Sequence, residues 1–154
     1  MGLADTRLAL ARDVAAALRE SQPSGEIVLL ASPDASTSVG YYGRFRTIGT
    51  LYWENAEGLK AAAAIFSAHD DAQAGRLARE RGITHVAVIA DENFLAEYYT
   101  LLHPGARRED IEASLGWRLL SGQSPPWLQR IPYEVPPDLR VLNTSVLLFR
   151  TEPK

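Results

Sequence analysis

The chain has 154 residues, of which 46% are hydrophobic and 23% charged, and its formal net charge is −3. This composition is ordinary for a globular protein, excludes an intrinsically disordered chain, and includes no basic cluster typical of nucleic-acid binding. The sequence has no cysteine, which excludes disulfides and thiolate chemistry. It also has no apolar run of the roughly 18 residues that a membrane span needs.

The first 31 residues predict a helix followed by a buried strand. Asp5 or Thr6 is a candidate cap for a helix over 3–20. Apolar residues recur there at helical spacing, at Leu8, Ala11, Val14, Ala15 and Leu18. The run 26–31 is short and continuously apolar after its first residue, which is typical of a strand buried on both faces. A helix packed before such a strand predicts a layered α/β structure.

The next segment predicts a polar loop and a second strand. Residues 32–38 have the composition of a loop, with a proline and clustered hydroxyls. Thr37 or Ser38 is a candidate cap for a short helical turn, which Gly43 would close in the left-handed conformation. Residues 46–53 read as a strand.

The middle of the chain predicts a strand–helix–strand crossover. Asn55 is a suitable helix cap. The buried stripe of the helix that follows consists of Leu59, Ala62, Ala63 and Phe66. A break near 69–71 separates it from a second helix that ends at Gly82. Residues 83–90 form the clearest strand, so this unit reads as a parallel crossover.

The C-terminal third predicts helices around 94–102 and 107–120, an edge strand over 127–133, and a last strand within 139–150. Together these elements predict the α/β class. We expect a three-layer αβα sandwich of the Rossmann-like kind, a mostly parallel sheet and an antiparallel C-terminal edge. The strand at Val28 should lie between the strands at Ile48 and Val86. Residues 1–154 are predicted to form a single domain.

Polar side chains follow three predicted parallel strands. Asp34 comes after the first, Trp53 and Glu54 after the second, and residues 91–92 after the third. The carboxyl ends of parallel strands meet at one edge, where open α/β sheets bind ligands. This edge is therefore the predicted binding rim.

Tyr41, Tyr42 and Arg44 lie on the connection between the first two strands, and either end of that connection could reach the rim. The alternative is structural: one tyrosine packs on the sheet, the other is exposed, and the arginine pairs with Asp34 or Glu54. Both interpretations stay open at the level of sequence.

No catalytic constellation is evident in the sequence. Asp34 with the hydroxyls of Ser32, Ser36 and Ser38 could form a rim for an anion or a sugar, or these groups could satisfy their own loop backbone. No GxSxG elbow surrounds these serines, and the glycines of 40–43 do not have dinucleotide-binding spacing.

The three histidines are predicted to be independent structural or surface residues. His69 lies at a helix break, His85 within a strand and His103 at a helix end, and their spacing suggests no metal site. The sequence implies no cofactor.

Several phrases of the sequence resemble a known family. IVLLASPD, YYGRFRTIGTLYWEN, RGITHVAVI and the segment 125–127 together resemble the soluble C-terminal domain of bacterial membrane-bound glycosyltransferases. Those proteins resemble the protein-mannosyltransferase and oligosaccharyltransferase superfamily, in which transmembrane helices precede an extracytoplasmic α/β domain. Residues 40–43 stand where oligosaccharyltransferases have Trp-Trp-Asp, so the resemblance does not extend to acceptor recognition.

The resemblance implies a non-catalytic accessory domain, because the family's catalytic acids lie in membrane-region loops. The chain would be part of a larger membrane protein at the extracytoplasmic (periplasmic) face of the inner membrane. Its partners would be the parent's transmembrane region or a lipid-linked sugar. The candidate binding residues are Asp34, Tyr41, Tyr42, Arg44, Trp53, Glu54 and Asn55. The alternative is a free-standing cytoplasmic α/β domain that binds a small anionic ligand or a protein partner.

Overall fold

A computed structural model describes residues 2–48, 56–90 and 94–152. The roles predicted for Trp53, Glu54 and Asn55, and for residues 91–92, lie outside these ranges, as does most of the predicted strand over 46–53. Within the described ranges, no helix is both long enough and apolar enough to cross a bilayer.

Helices are interspersed with strands along the chain. The elements, in chain order, are α1 (Leu3–Ser21), β1 (Val28–Leu30), α2 (Pro33–Gly43), β2 (Arg46–Ile48), α3 (Ala56–Ser67), α4 (Asp71–Glu80), β3 (His85–Ala90), α5 (Phe94–Leu102), α6 (Arg108–Glu112), α7 (Leu115–Leu120), β4 (Leu128–Ile131), a 3-10 helix (Pro137–Leu142) and β5 (Ser145–Thr151).

The five strands form one sheet in the order β2-β1-β3-β5-β4. β1 pairs in parallel with β2 and β3, so the predicted place of the Val28 strand is confirmed. β5 pairs antiparallel with both β3 and β4. Of the strand pairs among the described residues, two are parallel and two are antiparallel, so the sheet is mixed rather than mostly parallel. β5 lies inside the sheet, and the edge belongs to β4, which ends directly before Pro132 because proline cannot donate to a strand ladder.

Successive side chains of a strand point to opposite faces of the sheet, so alternate residues belong to two separate clusters of buried side chains. On one face, Val86 and Val88 of β3 pack with residues from α3, α4, α5 and α7. On the other face, Ala87 packs with residues from α1, α2 and the 3-10 helix. The sheet is therefore covered by helices on both sides, and the α/β class is confirmed.

Some element boundaries differ from the predicted ones. The cap of α1 is Gly2, and the proposed cap residue Thr6 lies inside the first turn, where its hydroxyl donates to the Gly2 carbonyl at 2.9 Å. The segment 107–120 is two short helices rather than one, and Ser114, at the N-cap position of the second, donates its hydroxyl to the Ile111 carbonyl instead of capping with it. The largest difference concerns 32–43 and bears on the candidate site.

Candidate functional site

Residues 33–43 form a regular helix instead of the predicted loop and short turn. The Oγ atom of Ser32 accepts a hydrogen bond from the backbone N–H of Ala35 at 3.3 Å, and Pro33 occupies the first turn. A serine cap followed by proline is a helix start, because proline lacks the N–H that the first turn leaves unbonded. The helix continues to Gly43, and the left-handed residue is Arg44 (φ 57°), not the glycine.

The hydroxyls of α2 are used by the backbone rather than presented as a polar rim. Ser36 is buried, and its Oγ lies 3.2 Å from the carbonyl of Ala31 and 3.4 Å from that of Ile48. The hydroxyls of Thr37 and Ser38 donate to carbonyls one turn earlier, each at 3.0 Å. The sugar-facing or anion-facing arrangement of these serines is therefore not observed, and the alternative of local backbone satisfaction is what the helix shows.

The C-terminal end of α2 presents an aromatic pair. The Tyr41 side chain is 77% exposed and meets the Tyr42 ring edge-on at a centroid distance of 5.4 Å. Tyr42 is partly buried against the core, and the guanidinium carbon of Arg12 lies 5.0 Å from its ring centroid. One ring packs and the other is exposed, as the structural interpretation predicted. Within the described part of the chain, Arg44 is exposed and forms no ion pair.

An open cleft of about 500 Å³ runs along α2. Its walls combine apolar or aromatic side chains with hydroxyl-bearing ones. The lining residues are Leu8, Ser36, Thr37, Ser38, Gly40, Tyr41, Tyr42, Phe45 and Thr47. Gly40 is required where α2 crosses β2, because a Cβ atom there would lie 2.6 Å from the Cγ2 atom of Thr47.

The structure does not bring all the predicted binding residues together. Asp34 follows β1 and lies at the carboxyl edge of the parallel strands, whereas Arg44 lies two residues before β2, at the opposite edge. They are ten positions apart along α2 and its C-cap, which corresponds to about 15 Å at the 1.5 Å rise per helical residue. Tyr41, Tyr42 and Arg44 thus form one group and Asp34 is apart from it. A single rim that includes all four is not observed.

Several residues of this group were not singled out from sequence. Leu8 was predicted to be buried but is 45% exposed and lines the cleft. Arg12, one turn later on the same side of α1, contacts Tyr42. Phe45 and Thr47 complete the wall from β2 and the residue before it. The spacing of Leu8 and Arg12 was the available signal, but it becomes meaningful only when α2 packs beside α1.

The sequence predicted three independent histidines, but two of them contact the same residue. His69 Nε2 lies 3.0 Å from the Tyr99 hydroxyl, and the His103 ring lies 4.8 Å from the Tyr99 ring. Burial and the nearby Asp110 carboxylate raise the pKa of Tyr99. His85 is buried in β3 on its own, and burial, with the charges of nearby arginines, lowers its pKa to about 4. Among the described residues, no three histidine, aspartate or glutamate side chains cluster as a metal site would require.

Comparison of the sequence with models of protein families and with curated proteins gave no match. Solved structures do share the fold. One is the C-terminal globular domain of an oligosaccharyltransferase from Archaeoglobus fulgidus, with a TM-score of 0.65, 10% identity, and coverage of 92% of this chain and 96% of that one.

A second structure, also a C-terminal globular domain of oligosaccharyltransferase from Archaeoglobus fulgidus, superposes with a TM-score of 0.60 at 13% identity. That match covers 93% of this chain and 95% of the other. The chain therefore has the fold of these C-terminal globular domains over nearly its whole length.

Proposed function

We propose that this chain is a non-catalytic accessory domain of a membrane glycosyltransferase-like protein. The observation that carries the proposal is the nearly complete mutual coverage with two oligosaccharyltransferase C-terminal domains. If the chains shared only a common core and differed in the segments around it, large parts of one chain or the other would lie outside the superposition. The sequence phrases over 27–55 and 81–89, which resemble the same superfamily, support it independently.

The finer features of the proposal follow from that resemblance. Residues 1–154 would be one domain of a larger bacterial protein, at the extracytoplasmic (periplasmic) face of the inner membrane. The domain would contact the parent's transmembrane region or a lipid-linked sugar. The helices on both faces of the sheet support classification as a three-layer αβα sandwich of the Rossmann-like kind.

The domain would assist substrate or partner binding without carrying out the transfer. Tyr41, Tyr42 and Arg44, at one end of α2, are the described residues best placed for such contacts. Asp34 would serve a separate contact at the other end of the helix. Trp53, Glu54 and Asn55 remain proposed binding residues. We expect the isolated chain to show no turnover of nucleotide sugars, esters or phosphoesters.

A second candidate function is a free-standing cytoplasmic domain that binds a small anionic ligand or a protein partner. The exposed Arg44, which has no ion pair within the described residues, favours it. This reading needs no parent protein, so the size and location of the natural polypeptide distinguish the two.

An antiserum raised against this chain provides the test. On blots of fractionated source cells, the accessory-domain proposal predicts a membrane-bound polypeptide several times larger than 154 residues. A soluble polypeptide of the size of this chain would contradict it and favour the second candidate. If the large protein is found, Tyr41→Ala in that protein should lower glycosyl transfer, whereas Arg81→Ala, just after α4, should not.

A further inference from the structure

The cleft along α2 has the dimensions and the lining of a small-ligand site. Its volume of about 500 Å³ lies within the roughly 300–1,000 Å³ typical of such sites. Leu8, Tyr41, Tyr42 and Phe45 supply apolar and aromatic surface. None of the described residues that line the cleft carries a carboxylate, so this part of its surface has no negative charge of its own.

Two of the cleft's side chains remain exposed although they are large and apolar. Leu8 is 45% exposed and Tyr41 is 77% exposed, and both line the same cleft. Exposed apolar residues that share one concavity, unlike scattered ones, are typical of binding surfaces. An apolar body placed between them would remove both from water.

The floor of the cleft is held in place by close packing. The Phe45 ring lies against Gly43, leaving no room for a Cβ atom there, and Gly40 lies against Thr47, where a Cβ atom would also collide. Because these contacts fix α2 against β2, the cleft exists before any ligand binds. A preformed site avoids the ordering cost that weakens binding to mobile surfaces.

Two arginines adjoin residues at the Tyr42 end of the cleft. The Arg12 guanidinium lies over the Tyr42 ring, and Arg44 directly precedes Phe45. Among the described residues, the Asp13 carboxylate accepts a hydrogen bond from the Tyr133 hydroxyl at 2.6 Å, Glu26 pairs with Arg46, and Asp5 lies about two turns before Arg12 on α1. Asp34 lies two turns away, at the other end of α2. An anionic group is therefore the complement of this end.

We infer that the cleft binds an anionic amphiphile, a molecule with an aromatic or aliphatic body and a single acidic head. The body would lie between Leu8 and Tyr41, and the head would meet Arg12 and Arg44. This chemistry is shared by anionic phospholipids and by free organic acids. The inference names the ligand class of the proposed binding role and rests on it, but it concerns the isolated chain, so its test does not depend on the parent protein.

Two dyes with the same aromatic body separate the apolar contribution from the charge. 8-Anilinonaphthalene-1-sulfonate carries an anionic group that N-phenyl-1-naphthylamine lacks. We expect fluorescence titration of the intact chain to show saturable, one-to-one binding of the sulfonate dye, weaker at high salt because exposed charges are screened. The uncharged dye should bind more weakly and without salt dependence. Equal binding of both dyes, or no saturable binding, would overturn the inference.

Variants locate the site. Arg12→Ala and Arg44→Ala should each lower the affinity for the sulfonate dye about fivefold, which is the upper range for an exposed charge pair. Neither change should alter the affinity for the uncharged dye. Thr37→Trp, which fills the cleft from an exposed position of α2, should abolish saturable binding of both dyes. Arg81→Ala, which changes an exposed arginine just after α4, is the matched control and should change neither. Retention of binding by Thr37→Trp, with its fold intact by circular dichroism, would place the dye elsewhere and overturn the inference.

Competition identifies the source of the ligand. Displacement of the sulfonate dye by monomeric dihexanoylphosphatidylglycerol would identify a lipid anion, and displacement by octanoate a free acid, and either result supports the inference. Displacement by hexaglutamate and by neither amphiphile would show a polypeptide site and contradict it. Association with phosphatidylglycerol vesicles that survives Thr37→Trp would show a membrane-surface contact, which also contradicts it. All these outcomes stand apart from the size of the natural polypeptide, which tests the proposed function.

Discussion

The Nε2 atom of His85 lies 3.1 Å from the Oγ atom of Ser21, and this contact ties the last turn of α1 to the start of β3. The Ser21 hydroxyl proton is directed to the Leu18 carbonyl at 2.6 Å, so Ser21 accepts from His85. Nε2 therefore carries the proton, and Nδ1 accepts from the Thr84 hydroxyl, which lies closer to Nδ1 (2.8 Å) than to the Val28 carbonyl (3.3 Å). Both ring nitrogens are satisfied by a neutral imidazole, which agrees with its low pKa.

Stability should fall as the pH is lowered through the range set by His85. Its pKa is about 4 when folded and 6.5 when free, because burial and then the charges of Arg150 and Arg19 disfavour the imidazolium. Between these values the unfolded chain binds the proton and the folded chain does not. At 1.36 kcal/mol per pKa unit, the loss is about 3 kcal/mol by pH 4.

Urea unfolding of the chain and of His85→Gln from pH 7 to pH 4 measures this loss. The difference in unfolding free energy between the two proteins should shrink as the pH falls. Only the chain that contains His85 must release a proton from this imidazole when it folds. Carboxylates titrate in both proteins and cancel in the difference. A difference that is constant with pH would show that His85 does not carry the effect.

The buried hydroxyl of Ser36 should contribute to stability and not to ligand binding. It donates to the Ala31 carbonyl, just after β1, and to the Ile48 carbonyl, at the end of β2. Ser36→Ala should therefore lower the unfolding free energy by about 1 kcal/mol. Thr37→Ala removes an exposed hydroxyl and should change it by less than about 0.5 kcal/mol. Unchanged stability of Ser36→Ala together with lost dye binding would instead indicate that the hydroxyl contacts ligand.

Gly40 and Thr47 should be energetically coupled. A Cβ atom at position 40 would collide with the Thr47 Cγ2 methyl, so Gly40→Ala should destabilise the fold by about 1–3 kcal/mol. Thr47→Ser removes that methyl and keeps the hydroxyl. The double variant should recover at least about 1 kcal/mol relative to the sum of the single changes, measured as a double-mutant cycle. Simple additivity would mean that the crossing of α2 and β2 adjusts by other means.

Arg44→Gly should stabilise the fold and weaken ligand binding. Arg44 adopts φ 57°, a left-handed conformation that costs a side-chain-bearing residue about 1 kcal/mol more than glycine. Arg81, at the end of α4, has φ −94° and no such strain, so Arg81→Gly should lower stability. Thermal unfolding of both variants and dye titration of the first measure the opposed effects. A less stable Arg44→Gly would show that the side chain makes stabilising contacts that exceed its backbone strain.

Burial explains which parts of this fold can be predicted from sequence. The segment 83–90, continuously apolar over 86–90, has few alternatives to a buried strand, and β3 lies where it was expected. The helix α2 was missed because Pro33 and the serines beside it have the composition of a turn. The same residues form a cap and a first helical position, but that interpretation depends on the packing of Val39 against the sheet.

The candidate site could be predicted only in part because its members come together through tertiary packing. Tyr41, Tyr42 and Arg44 are adjacent in sequence and were identified. Leu8 and Arg12 belong to another helix, and nothing local distinguishes an exposed leucine from a core one. The position of β5 inside the sheet was equally inaccessible, since strand order is decided by long-range pairing.

The two halves of the sheet are unequally joined. Within the described residues, β1 meets β3 at two residue pairs, whereas β3 and β5 pair at six. Local opening follows the weakest junction, so the backbone amides of residues 2–48 should exchange with solvent as one unit, faster than those of β3 and β5. Every residue that lines the cleft belongs to this unit. A bound ligand should therefore slow amide exchange in the first 48 residues and leave the β3–β5 ladder unchanged, because it stabilises only the closed form of the part that it touches.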